Sequence, residues 1–194
     1  ILSTGMSNLD EIRAALGVLA YGLISKSTGK PDTLKFQNAL NSTEGQTALK
    51  NKVSLLHCTT EYPTPASDVN LLALDTLSTV FNLPVGYSDH TLGSSVAVAA
   101  VARGACILEK HFTLDSTFEG PDHRASIEPD ELKNMVVAIR NVELALGSAE
   151  KKPQSSELEN IVIARKSLVA ASTILKGQRF SESNISVKRP EIGR

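Results

Sequence analysis

The sequence predicts an α/β protein built on a parallel sheet, and two features of residues 1–147 lead to that prediction. Short apolar segments alternate with helix-like segments, which is typical of βαβ units. Polar clusters follow the apolar segments and precede the helices, where barrels and doubly wound sheets both place their sites. Four such units are half of a (β/α)8 TIM barrel. Because a half barrel leaves both sheet edges unpaired, we expect the other half to lie N-terminal.

The first helix and the segment after it are predicted from capping and apolar spacing. Ser7 or Asn8 can cap a helix whose first turn is acidic and whose apolar stripe continues to about Tyr21. Residues 22–51 contain turn-forming residues and weaker helical patterns. We interpret them as an insertion that holds one or two short helices.

Each later unit begins with a short apolar run that is followed by a helix start. The predicted pairs are a strand at 53–60 with a helix from Asp68, a strand at 84–87 with a helix from Ser94, and a strand at 105–108 with a helix from Glu128. Gly104 and Gly147 are placed to end the last two helices.

The composition changes after Gly147. Residues 148–164 are polar and are predicted to form a linker. Residues 165–194 contain short β-like pieces joined by turns, and we expect them to be the start of a small β-rich domain. A segment of that length cannot build a core alone.

Composition also argues against several classes of protein. The 194 residues carry a net charge of −1 and no Trp, so we do not expect a nucleic acid or an anionic membrane as partner. No apolar run reaches the ~20 residues that span a bilayer. Cys58 and Cys106 lie in apolar runs and are predicted to be buried, reduced thiols of a cytoplasmic protein.

Two predicted strand ends carry the residues that are best suited to catalysis. Because side chains alternate along a strand, Ser88 and His90 share one face, and Glu109 and His111 share one face. Two neutral imidazoles brought together in this way can bind one divalent ion, and each can equally be structural. Glu109 can bind the metal, support a ligand, transfer protons, or pair with a lysine inside a barrel.

Other polar residues near the strand ends have both functional and structural interpretations. Asp89 and Lys110 have the opposite parity, so we expect them to form salt bridges towards the helices. Tyr62, held by the following proline, can aim its hydroxyl at a substrate or simply pack. Asp122 lies in a long loop and can reach back over the site or belong to a plain turn. His57 is interpreted as a core residue or as support for a ligand.

Hydroxyl groups complete the candidate site. Ser3, Thr60 and Ser88 lie at or near predicted strand ends. Such hydroxyls can bind the oxygen atoms of a phosphate or a carboxylate group.

Several stretches of the chain resemble the sialic acid synthase (N-acetylneuraminate synthase) family. They occur in the family's order and are residues 3–6, 57–65, 86–91, 109–113 and 120–123. Residues 165–190 are similar to the start of the family's C-terminal antifreeze-like (SAF) domain. The resemblance covers most of the chain except about 22–51.

The resemblance implies a transferase that forms a carbon–carbon bond. Such enzymes condense phosphoenolpyruvate with the open-chain aldehyde of an N-acylated hexosamine, here N-acetylmannosamine, and release phosphate. It implies that His90 and His111 bind Mn²⁺ or Mg²⁺. Legionaminic and pseudaminic acid synthases are alternatives within the resemblance, and a metal-dependent TIM-barrel hydrolase is an alternative outside it.

The resemblance also suggests roles for the remaining site residues. It implies that Ser3, Ser88 and Glu109 line the phosphoenolpyruvate site and that Tyr62 and Asp122 contact the sugar. Glu109 and Asp122 are the candidate catalytic residues. Thr60 stands where some members have Asn, which leaves its substrate contact open.

A further expectation concerns what this chain can do by itself. In the family, lysines from the first half of the barrel bind the phosphate and carboxylate groups, and the antifreeze-like domain caps the partner subunit of a dimer. We therefore expect the chain alone to be inactive and its parent to be a homodimer.

Overall fold

A computed structural model describes residues 1–26 and 30–190. The chain divides into two compact units, Ile1–Gly147 and Ser148–Arg194. Part of the predicted insertion, residues 27–29, and the last four residues of the predicted β-rich segment lie outside the described ranges.

The larger unit is organised around a parallel sheet. Its strands within the described residues are β1 (Leu2–Ser3), β2 (Leu55–Cys58), β3 (Val85–Asp89) and β4 (Leu108–Lys110). They lie in the order β1-β2-β3-β4, and each neighbouring pair is parallel. The prediction of an α/β fold with a parallel sheet is confirmed.

Helices lie between the strands of this sheet and after the last of them. They are α1 (Leu9–Ile24), α2 (Thr33–Asn41), α3 (Thr43–Lys52), α4 (Ala73–Phe81), α5 (Ser95–Ala102) and α6 (Pro129–Leu146). The first begins as predicted, because the Asn8 side chain accepts hydrogen bonds from the N–H groups of Asp10 and Glu11, both at 3.0 Å. The predicted insertion contains α2 and α3, which pack against α1.

Three local predictions differ from the structure. Helix α4 starts at Ala73 rather than Asp68, because Asn70 adopts a left-handed conformation with a φ of 52° and interrupts the turn before it. The strand predicted at 105–108 lies at 108–110, which places Glu109 inside β4. Cys106 is exposed rather than buried, whereas Cys58 is buried as predicted.

The core of this unit lies mainly on the sheet face that carries Leu55, Val85 and Tyr87. These side chains pack against apolar residues of α1, α3 and α4, which include Ile12, Leu16, Leu49, Leu77 and Phe81. A second cluster joins α5 to α6 through Ala97, Val101, Met135 and Ile139. Burying one such large side chain stabilises the fold by about 1.5–3 kcal/mol.

The smaller unit contains α7 (Leu158–Ala164) and the antiparallel pair β5 (Ser167–Ala170) and β6 (Ile185–Lys188). The segment predicted to be a linker therefore includes a helix. Within residues 148–190, Asn184 is the one buried side chain, and its amide donates to the Arg179 carbonyl at 2.9 Å. Across the described parts of both units, every helix is too short or too polar to cross a membrane.

Candidate active site

The strand register brings the predicted site residues onto one face of the sheet. Ser88 pairs with Glu109 on one side and with Cys58 on the other. Because residues in register on parallel strands point to the same face, these three side chains form a row. Ser88 was predicted to share a face with His90 and Glu109 with His111, and the register places Ser88 and Glu109 side by side.

A hydrogen-bond network links the two strands at this face. The Ser88 hydroxyl donates to Glu109 Oε1 at 2.7 Å and lies 3.2 Å from His90 Nε2. His90 Nδ1 donates to the Thr59 carbonyl at 2.8 Å, since a carbonyl can only accept. Because Ser88 donates its single hydroxyl proton to Glu109, it has none left for His90. The Nε2 lone pair of a neutral His90 is therefore free to bind another group.

His111 completes the histidine pair. Its ring lies 5.4 Å from the His90 ring, centre to centre, and the two planes are nearly perpendicular at 89°. The Tyr62 ring packs against both, with centres 4.2 Å from His90 and 5.2 Å from His111. Tyr62 is therefore a packing partner of the imidazoles, and with 41% exposure it also faces solvent.

Asp122 reaches back towards the strands from the long loop after β4. Its Oδ2 atom lies 3.8 Å from His111 Nδ1, too far for a direct hydrogen bond. Asp122 adopts a left-handed φ of 70° at the start of a short 3-10 turn. This side chain is 45% exposed, so it borders the histidine pair from the solvent side.

The histidine pair has the chemistry that a divalent ion requires. An imidazole nitrogen lies about 2.1 Å from a bound ion, so two rings on one ion have centres about 4.5–6 Å apart, a range that includes the observed 5.4 Å. The carbonyl that holds His90 Nδ1 is the kind of partner that orients metal-binding histidines. Among the described residues, no three His, Cys, Asp or Glu side chains converge on one point. The protein would therefore supply two imidazole ligands to a divalent ion at this site.

Ser3 and Thr60 lie in a neighbouring cluster at the ends of β1 and β2. Ser3 Oγ is hydrogen-bonded to Cys58 Sγ at 3.0 Å. A Cβ atom on Gly5 would lie 2.6 Å from Thr60 Oγ1 and 2.8 Å from Cys58 Sγ, so the glycine permits this close approach. Ser3 thus contacts β2, and Thr60 lies beside Gly5, which follows β1.

The remaining histidines have structural partners. His57 Nε2 is hydrogen-bonded to the Val69 carbonyl at 2.7 Å, and its ring lies near Tyr87 on the opposite face of the sheet. His123 Nδ1 is hydrogen-bonded to Thr113 Oγ1 at 2.8 Å. A cleft of about 490 Å³ beside His57 is lined by none of the predicted site residues.

Thr59 and Thr64 position His90 and were not predicted from the sequence. Thr64 is 5% exposed, its N–H donates to the His90 carbonyl at 2.9 Å, and its hydroxyl donates to the Glu61 carbonyl at 2.7 Å. The loop from β2 is thereby tied to the end of β3. From the sequence, Pro63 and Pro65 indicated only that the loop after β2 is rigid. No neighbouring residue indicated that this loop contacts His90.

Three ionisable groups near this site have pKa values that their surroundings shift. Burial, and next the carboxylate of Asp89, raise the pKa of Tyr87. In the loop after β4, hydrogen bonds from Thr117 lower the pKa of Asp115, and hydrogen bonds from Ser116 lower that of Glu128. These two carboxylates hold the loop that carries Asp122.

A parallel sheet with acid, hydroxyl and imidazole groups at the carboxyl ends of its strands defines an α/β protein with an enzyme-like site. The comparison with family models identifies the family, since residues 1–151 match the NeuB family. The chain belongs to the NeuB family.

Relatives and solved structures agree with that assignment. The chain is 49% identical over 193 residues to an N,N'-diacetyllegionaminic acid synthase of Campylobacter jejuni, covering 100% of this chain and 51% of the relative. It is 45% identical over 138 residues to a pseudaminic acid synthase of the same species, covering 71% of this chain and 40% of that relative. It also matches the crystal structure of an N-acetylneuraminic acid synthetase from Leptospira borgpetersenii in complex with citrate, with a TM-score of 0.58 and 34% identity. That match covers 82% of this chain and 55% of the synthetase chain. The chain thus spans about half the length of the legionaminic acid synthase.

Proposed function

We propose that this chain supplies one wall of the active site of a nonulosonic acid synthase, which condenses phosphoenolpyruvate with an N-acylated hexosamine. The observation that supports this most directly is the contact of Ser88 with Glu109 beside the His90–His111 pair in a NeuB family chain. Family membership favours a synthase over a metal-dependent hydrolase. Relatives that make legionaminic, pseudaminic and sialic acids all match, so N-acetylneuraminate is one of three candidate products.

In the proposed reaction, C3 of phosphoenolpyruvate forms a bond to the aldehyde carbon of the open-chain sugar. Water adds to C2, and phosphate leaves when the bond between C2 and the bridging oxygen breaks. His90 and His111 would hold Mn²⁺ or Mg²⁺, which polarises the aldehyde oxygen as a Lewis acid when bound.

The other site residues have roles that follow from their charge and contacts. Ser88 presents Glu109 Oε1 in a fixed orientation. A carboxylate there would stabilise positive charge that develops at C2 and accept the proton of the attacking water. Asp122 would transfer a proton on the sugar side, and Tyr62 would support the sugar from the solvent side. Ser3 and Thr60 would extend the hydroxyl-lined surface along β1 and β2.

The phosphate group needs cations that this wall does not present. Lys110, the lysine at the end of β4, points to the opposite face of the sheet. We propose that lysines from another half barrel, N-terminal to this chain, bind the phosphate, and that residues 165–194 begin an antifreeze-like domain. A homodimer and a cytoplasmic location stay predictions from the sequence.

Phosphate release from phosphoenolpyruvate tests the proposal. A polypeptide that joins this chain to the N-terminal half of a relative should release phosphate with N-acetylmannosamine or with the sugar precursors of the other two acids. His90→Ala and His111→Ala should each lower the rate by at least about 100-fold and weaken its dependence on Mn²⁺. His57→Gln, a histidine on the opposite face, is the matched control and should keep the rate. Unchanged Mn²⁺ dependence in both alanine variants, or phosphate release by the 194-residue chain alone, would contradict the proposal.

A further inference from the structure

A salt bridge that is almost completely buried lies on the back face of β3 and β4, opposite the candidate active site. Lys110 Nζ contacts Asp89 Oδ2 at 2.9 Å, and the two side chains are 5% and 1% exposed. Lys110 Nζ also donates to the Thr91 carbonyl at 2.7 Å. Asp89 Oδ1 accepts from the N–H of Thr91 at 2.9 Å and from its hydroxyl at 2.7 Å. Both charged groups are therefore satisfied by partners with defined directions.

The position of this salt bridge relates it to the histidine pair. Asp89 and Lys110 are the last residues in register between β3 and β4. His90 and His111 each follow by one residue, beyond the ends of both strands. The register between β3 and β4 therefore ends just before the histidines, and Lys110 joins the two strand ends on the back face through Asp89 and the Thr91 carbonyl.

We propose that Asp89 and Lys110 are positioning residues, which set the spacing of His90 and His111 by joining the strand ends behind them. This inference rests on the proposed metal role of the two histidines. A buried charge pair contributes little stability beyond an apolar pair of similar volume, but its geometry is specific. An apolar pair would tolerate shifts of one strand end against the other, and those shifts would change the distance between the imidazoles.

The test counts the imidazoles that bind one metal ion. The probe is Cu²⁺ with the 194-residue chain, since Cu²⁺ binds imidazole more tightly than other divalent first-row metals do. Pulsed electron paramagnetic resonance reports the number of coordinated imidazoles, and a titration gives the affinity. We expect two imidazoles in the unmodified chain and one in His90→Ala or His111→Ala.

The decisive variant is Asp89→Asn combined with Lys110→Met. It removes both charges together, keeps an acceptor for Thr91 and nearly keeps both volumes, so no buried charge is left alone. We expect it to fold, to bind Cu²⁺ about tenfold or more weakly, and to show one coordinated imidazole in place of two.

Two controls separate positioning from general effects. Asp75→Asn combined with Arg103→Met removes an exposed ion pair of the same unit that does not contact the site. Ile139→Val lowers stability through a core cavity far along α6. Both should keep two imidazoles and the original affinity.

The outcomes distinguish this inference from the function on which it rests. No two-imidazole signal in the unmodified chain would overturn both. Two imidazoles with unchanged affinity in the Asp89/Lys110 variant would overturn the positioning role alone and leave the metal site standing. The positioning role would also be overturned if Ile139→Val lowered the thermal midpoint by the same amount as the Asp89/Lys110 variant and lost the same Cu²⁺ affinity. General destabilisation would then explain the weaker binding.

Discussion

β3 and β4 each end in a site-facing residue and a buried charge, and a histidine follows each strand, but the two strand ends hold these side chains differently. At the end of β3, Ser88 is 2% exposed and His90, just after the strand, is 7% exposed. At the end of β4, Glu109 is exposed, and the side chain of His111, just after the strand, is 34% exposed. β3 has a strand on each side, whereas β4 pairs only with β3 among the described residues. Alternation along a strand thus selects the face, and the neighbouring elements decide how firmly each side chain is held.

The segments that follow the two strands differ in the same way. After β3, the turn is held by Thr91 and by Thr64 from the loop after β2, and both threonines are buried. After β4, the loop is held by the half-buried carboxylates of Asp115 and Glu128, which accept hydrogen bonds from Thr117 and Ser116. Three measurements test this contrast between a firmly held and a loosely held strand end.

The largest effect is expected from breaking the buried salt bridge on one side only. Lys110→Met leaves the Asp89 carboxylate without its cation on the enclosed strand, which should cost about 3–5 kcal/mol in the free energy of unfolding. Asp89→Asn should cost less, because the long Lys110 side chain on the edge strand can reach solvent. Urea unfolding of both variants measures the difference. If both variants lost the same free energy of unfolding, the two strand ends would be equally enclosed.

A smaller effect is expected from adding one methyl group to β3. A Cβ atom on Gly86 would lie 2.5 Å from the Ile107 carbonyl oxygen and 2.6 Å from Leu56 Cδ2, so Gly86→Ala should destabilise the fold by about 1–3 kcal/mol. Gly22→Ala is the matched control, because its Cβ atom on α1 meets nothing within 4 Å. It should stabilise by about 0.5–1 kcal/mol. A Gly86→Ala variant as stable as the parent would mean that the sheet opens easily at β3.

The smallest effect is expected from acid acting on the loop after β4. The pKa values of Asp115 and Glu128 are lowered by hydrogen bonds in the folded state, so these carboxylates stabilise the fold above their ordinary pKa values of 3.8 and 4.5. That stabilisation should be lost as pH falls through the lowered folded-state pKa values, and it should be constant between pH 6 and 7.

The double variant Asp115→Asn with Glu128→Gln isolates this contribution. Its free energy of unfolding should fall less steeply between about pH 5 and pH 2 than that of the parent chain. Asp32→Asn, which removes a carboxylate with a lowered pKa at the start of α2, is the control from outside the loop. A double variant with the same acid dependence as the parent would show that these bonds do not hold the loop.

The sequence by itself determined the features that depend on local geometry. Side chains repeat every two residues along a strand, so Ser88 with His90 and Glu109 with His111 could be assigned to one face before any contact was known. The same reasoning placed Asp89 and Lys110 on the opposite face and predicted salt bridges there, but not that the two residues would pair with each other. The start of α1 could be predicted to lie at Ser7 or Asn8 because capping involves only neighbouring residues, and Asn8 is the cap that forms.

Tertiary structure decided the features that depend on residues distant in the chain. The orientation of His90 depends on the Thr59 carbonyl, 31 residues earlier, and no local pattern predicts such a partner. The residues of β4 in register with β3 begin at Leu108 and not at Ala105, and Cys106 is exposed although its N–H donates to the Val85 carbonyl at 2.9 Å. Ser3 and Thr60 gather around Gly5 and Cys58 because β1 and β2 lie side by side. Strand pairing and loop contacts are long-range, so their energies cannot be read from neighbouring residues in the sequence.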